Sequence, residues 1–172
     1  MTDCPTCQSL ETHALTLFED DHVAAMACPN PVAPGHLMVV PKKHQPIIEA
    51  VPDSVLRAMM VVANKLSMAV FEAVGAQGTN LLIQNGLPAG QMMPHCAVHI
   101  IPRREGDNLQ IEWKPGGVSE DDSGKAEVYL KEAAQTIGVF DKEAPKPLEE
   151  KRADTPEISE TDYRVRQLRR IP

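Results

Sequence analysis

Between Asp53 and Val74, apolar residues recur at Leu56, Met59, Met60, Ala63, Leu66, Val70, Phe71 and Val74. Steps of three and four place them on one face of a long amphipathic helix, with Asp53 suited to cap its start and Gly75 to stop it. Four shorter apolar stretches keep a different rhythm and read as strands: His22 to Ala27, Leu37 to Val40, Thr79 to Gln84 and His95 to Pro102. Prolines at 29, 31 and 34 followed by Gly35 make the segment from Cys28 a loop, and Asn85 to Met93 is a polar, glycine-containing loop. Cys4 to Glu11 runs into a short helix, and a further helix is expected over 124–137. The fold class is α+β: an antiparallel sheet meander around one long helix, with a short C-terminal helix and an extended tail.

Composition adds a boundary. With 172 residues the chain is one domain by length, and it can bury a single good core. After Val139 it turns to Asp, Glu, Lys and Pro, with prolines at 145, 147 and 156, and ends in a basic and apolar peptide from Tyr163. Residues 1–139 therefore form the expected domain and 140–172 a charged linker with its terminal peptide. That peptide could dock a partner; packing back on its own domain or a dimer mate is preferred, through Tyr163, Val165, Leu168 and Ile171. Aromatic residues make up only 3% of the chain, so the core draws on aliphatic side chains and the eight Met. A net charge of −7 argues against sequence-independent nucleic-acid binding. No apolar run approaches a membrane span, and Met1 is followed by Thr-Asp-Cys, so a cytoplasmic protein without membrane contact is expected. The four cysteines do not suggest a disulfide framework.

Candidate chemistry concentrates in Pro94-His95-Cys96-Ala97-Val98-His99-Ile100-Ile101-Pro102-Arg103. Alternation along a strand puts His95, Ala97 and His99 on one face and turns Cys96, a small hydrophobe, to the other. The run resembles the signature of the histidine triad family, in which His alternates with apolar residues three times. In that family the middle His attacks the α-phosphate of a nucleotide. Here that position is Ala97, and a methyl group cannot attack phosphorus. His99 lies two residues on, roughly 6–7 Å in an extended strand, too far for the same in-line geometry. Ala97 reflects either a diverged gene or a substitution made to trap a substrate complex; divergence is the preferred reading.

The resemblance covers roughly residues 4 to 115 and includes Asn30-Pro31-Val32-Ala33-Pro34-Gly35-His36 with the following strand to His44. Carried over position by position, it implies Asn30 on the ribose hydroxyls and His36 in a network behind the triad. Asn85 would meet the phosphate, Gly90 would let the backbone approach it, and Gln91 would face the leaving group. His99 would contact a non-bridging α-phosphate oxygen. Trp113 would sit in a further strand or plain core. Zinc-bearing members place a Cys pair, a later His and the first triad His around one ion, which matches Cys4, Cys7, His44 and His95. Such a closed set implies structural zinc. A homodimer, and AMP or an AMP conjugate as ligand, are further implications. Three functions stay open: a nucleotidyl hydrolase impaired at its nucleophile, a nucleotide-binding sensor or scaffold, and an interaction protein working through its tail.

Overall fold

A computed structural model describes residues 4–111 and 114–137. They fall in two units, Met1–Leu109 and Gln110–Pro172. The first holds α1 (Pro5–Thr12), β1 (Thr16–Glu19), β2 (Val23–Ala27), β3 (Leu37–Pro41), α2 (Asp53–Ala73), β4 (Gly78–Leu82) and β5 (Val98–Arg103). The strands form one antiparallel sheet in the order β1-β2-β3-β5-β4. β1 to β3 meander, and β5 then pairs with β3 while β4 lies outside it, so β5 is an inner strand and β4 is an edge. The α+β class is as the periodicity predicts.

The sheet's two faces are filled differently because alternate side chains point opposite ways. Val23, Ala25, Val39, Cys96, Val98 and Ile100 pack with Met59 and Ala63 of α2 in one buried cluster. Ala24, Met26, Cys28, Met38, Val40 and Ala97 form the other, against Leu10, Leu15 and Met93. Cys96 is thus buried on the side away from Ala97, as alternation requires, at 4% exposure.

Two helix expectations change in detail. Asp53 is the first residue of α2 and Pro52 is the cap, without a side-chain hydrogen bond; Asp53 instead places a carboxylate in the first turn, where the helix dipole favours it. Gly75 does follow the helix in a left-handed conformation, φ 64°, suited to glycine. α2 is also 21 residues long with a mean hydropathy of 1.4 in its most apolar window, enough by length and composition to cross a membrane. This overturns the expectation that no apolar run approaches that length. In this fold its buried stripe, Met59, Ala63, Ser67, Val70 and Phe71, is spent on the core.

Strand limits shift as well. β5 begins at Val98, so His95 and Ala97 lie in the chain leading into the strand instead of within it. β1 was not expected: its Leu17 and Phe18 are exposed at 61% and 43%, so no buried alternation marks it. In the second unit, α3 (Glu120–Ala133) is capped by Ser119, whose hydroxyl accepts from the Asp122 N–H. Residues 107–111 hold no strand, and Trp113, the boundary near 139 and the terminal peptide lie outside the described residues.

Candidate functional site

Two groups of cysteine and histidine side chains gather near the ends of β2, β3 and β5. Cys4 and Cys7, at the start of α1, meet His44, just after β3, and His95. Cys7 Sγ lies 3.4 Å from His44 Nδ1 and 3.6 Å from His95 Nδ1, and Cys4 Sγ lies 3.6 Å from His95 Nδ1. Zinc–sulfur and zinc–nitrogen bonds at a tetrahedral angle would separate S and N by about 3.6 Å. Cys4 and His95 are buried at 1% and 2% exposure. His95 Nε2 lies 2.9 Å from the Pro41 carbonyl, which fixes the proton there and leaves the Nδ1 lone pair aimed at the cysteines. Burial lowers the His95 pKa, the direction that keeps the ring neutral and able to ligate. The four residues read together from the sequence are therefore brought together, in a geometry able to hold a metal ion.

The second group is Cys28, His36 and His99, with donor atoms all within 4.8 Å of one another. The sheet register builds it. Ala27 pairs with Leu37, and the next step outward joins the Cys28 N–H to the His36 carbonyl at 3.0 Å. On the other side of β3, Met38 faces His99. The Val32 N–H donates to His36 Nδ1 at 3.2 Å, so the ring proton sits on Nε2 and is donated to His99 Nδ1 at 3.0 Å. His99 is left with its own proton on Nε2, a donor for an incoming anion. Burial and the neighbouring His99 pull His36 down to about 4, and burial lowers His99, so both rings are neutral near pH 7. Ala97 packs in the same cluster as Cys28, on the face that carries His99. Sequence reasoning placed Cys28 in a loop and missed this company; counting the β2–β3 register one pair outward would have found it.

The loops around these groups are stitched to each other. Gln91 accepts from the Gly86 N–H with Oε1 and donates with Nε2 to the carbonyls of Pro46, at 2.6 Å, and Met93, at 2.8 Å. Asn85 accepts from the Ile48 N–H and donates to Glu49, and the Cys96 N–H donates to the Gln45 carbonyl at 2.7 Å. Asn85 and Gln91 thus hold the segment after His44 against the segment before Ala97. Gly90 has φ 85°, and a Cβ there would lie 2.6 Å from Gln84 Nε2, so this turn needs glycine. Asn30 is exposed, with its carbonyl accepting from the Cys28 thiol at 3.5 Å. An open groove of about 460 Å³ runs along this loop, lined among others by Cys28, Pro31, Val32, His36 and Leu37.

The family follows from comparison as well as from geometry. The HIT domain model matches residues 9–106. The chain is 40% identical over 109 residues to adenylylsulfatase HINT3 of Arabidopsis thaliana, covering 62% of this chain and 55% of that protein. It therefore spans about half the length of that relative. A crystal structure of a HIT family member from Bacillus subtilis superposes with TM-score 0.68 at 26% identity, covering 76% of this chain and 96% of that one. A zinc-bound histidine triad family protein from Mycobacterium smegmatis gives TM-score 0.59 at 28% identity, covering 76% and 97%. The matched segment is more than half of the chain, and this chain belongs to the HIT family.

Proposed function

We propose that this protein binds a purine nucleotide of the AMP type at the α-phosphate and turns it over poorly, because the position of the attacking imidazole is Ala97. That residue is the observation that carries the reading. The anion-receiving half of the site remains: His99, held in one tautomer by His36 and the Val32 N–H, offers a neutral N–H to a phosphate oxygen. Asn30 would meet the ribose from the rim of the groove. Gln91 and Asn85 already spend their amides on the loop, so their support for the phosphate comes through the backbone they position. His95 is no substitute nucleophile, since one nitrogen faces the cysteines and the other the Pro41 carbonyl.

Cys4, Cys7, His44 and His95 would hold structural zinc. The donor set is closed and thiolate-rich, the spacing fits a tetrahedral ion, and a zinc-bound relative shares the fold. Such an ion would supply rigidity, tying the N-terminus, the end of β3 and the entry to β5 into one frame. A reducing, cytoplasmic setting and a homodimer complete the reading.

The alternative is an active phosphoramidase or dinucleotide hydrolase whose nucleophile was replaced, supported by the adenylylsulfatase name of one relative. Turnover of a fluorogenic AMP phosphoramidate by this chain and by Ala97→His, each assayed for zinc content and AMP affinity, separates the readings. AMP binding without turnover in this chain, with turnover gained in Ala97→His, is expected. Turnover by the chain as it stands would overturn the reading, and so would failure to bind AMP.

A further inference from the structure

The sulfur and two rings of Cys28, His36 and His99 have a use that nucleotide binding does not require. We infer that they form a second metal site, open and three-ligand, for a borderline transition-metal cation of the zinc class. Their donor atoms lie within 4.8 Å of one another, with Cys28 and His36 buried and His99 half-buried. His36 Nε2 and His99 Nδ1 are 3.0 Å apart, against about 3.3 Å for two nitrogens on one tetrahedral zinc. The Cys28 sulfur needs to come to about 3.6 Å of each nitrogen. The Cys28 thiol now donates to the Asn30 carbonyl at 3.5 Å, a bond that ligation would release.

The hydrogen bonds already present must be rearranged before an ion can bind. The proton between the rings must move from His36 Nε2 to Nδ1, and the Val32 N–H must then give up its bond. His36 is buried and Val32 is 53% exposed, so the loop carrying Val32 is the side that must give. One zinc–thiolate and two zinc–imidazole bonds outweigh the loss of a neutral hydrogen bond. A cation bound at the sulfur displaces the thiol proton. Binding therefore releases one proton from sulfur. Only three side chains supply donors, which leaves a fourth position for water or an anion. Ala97 packs beside Cys28 and brings no polar group of its own to this space.

The contrast with the first cluster sets the order of filling. There, the proton on His95 already points away from the ion position, so that site fills first and the open one second.

The experiment is a cobalt(II) and zinc titration of the full chain at pH 7 under reducing conditions, followed by equilibrium dialysis and metal analysis. Cys28→Ser and His36→Gln are run beside it, each checked for native circular dichroism. The expected result is two ions per chain, one of them lost in each variant, with a cobalt–thiolate absorption that weakens in Cys28→Ser. One ion per chain in all three proteins would overturn the site. Two ions that persist in both variants would also overturn it, placing the second ion on surface residues such as His13 or His22. The inference does not rest on nucleotide binding: AMP affinity measured on the same samples reads that separately.

Discussion

In both cysteine–histidine clusters the donor atoms lie within 4.8 Å of one another, yet the clusters differ in where their protons are. In the cluster of Cys4, Cys7, His44 and His95, the backbone takes the proton of His95 on its far nitrogen, so the near lone pair faces the thiols. In the cluster of Cys28, His36 and His99, a backbone N–H occupies the far nitrogen of His36, so the proton is driven inward between the rings. One carbonyl and one amide thus separate a preformed ligand set from a hydrogen-bond relay that an ion must reorganise. Proximity of donor atoms is a weaker criterion than the tautomer that the surrounding backbone imposes.

The largest effect that sharpens this contrast is expected on turnover. Ala97→His adds an imidazole beside the relay and should raise phosphoramidate cleavage by at least about three orders of magnitude, near 4 kcal/mol on the barrier, without changing zinc content. Steady-state rates beside metal analysis read both quantities, and a rate unchanged by the substitution would mean that the relay no longer serves a phosphate.

Next comes stability. Cys7→Ser, or chelation of the metal-loaded protein, should remove about 3 kcal/mol or more and lower the melting temperature by roughly 10 °C. Cys28→Ala on the chain loaded with one ion should cost only about 1 kcal/mol, for a small buried thiol. Equal losses would break the distinction between frame and relay.

Smaller effects separate the clusters further. His36→Gln removes the ring that sets the His99 tautomer and should weaken AMP binding about tenfold, near 1.4 kcal/mol, by calorimetry. The first ion should stay bound. Gln91→Ala should do the reverse in part. It loosens the loop that braces the segments carrying His44 and His95, so zinc should be lost to a competing chelator about tenfold more readily.

How much of this was legible follows from what each residue's neighbours in sequence reveal. α2 was, because a helix packing one face on a sheet writes a period of three to four into its own residues. The faces of Cys96 and Ala97 were also legible, since alternation holds even where the hydrogen-bonded ladder has not begun. β1 was not, because Leu17 and Phe18 are exposed and no alternation of burial marks it. The four residues of the first cluster came from resemblance; nothing local links Cys7 to His44. Cys28 escaped because its partnership with His36 exists only through strand register. Asn85 was placed at the phosphate and Gln91 at the leaving group by position, while their amides are committed to loops distant in sequence, which no motif displays.

In the motif from His95 to His99, the outer rings are both employed by the scaffold: one is buttressed by Pro41, the other by His36. The middle position, Ala97, has no polar side-chain group and sits among apolar neighbours. Architecture and chemistry are therefore written on different letters of the same short word. A lineage can erase the chemical letter and keep a foldable, ligand-ready protein, whereas erasing either neighbour disturbs the frame. On the reading proposed above, restoring the attacking ring takes one substitution in a scaffold already built around it.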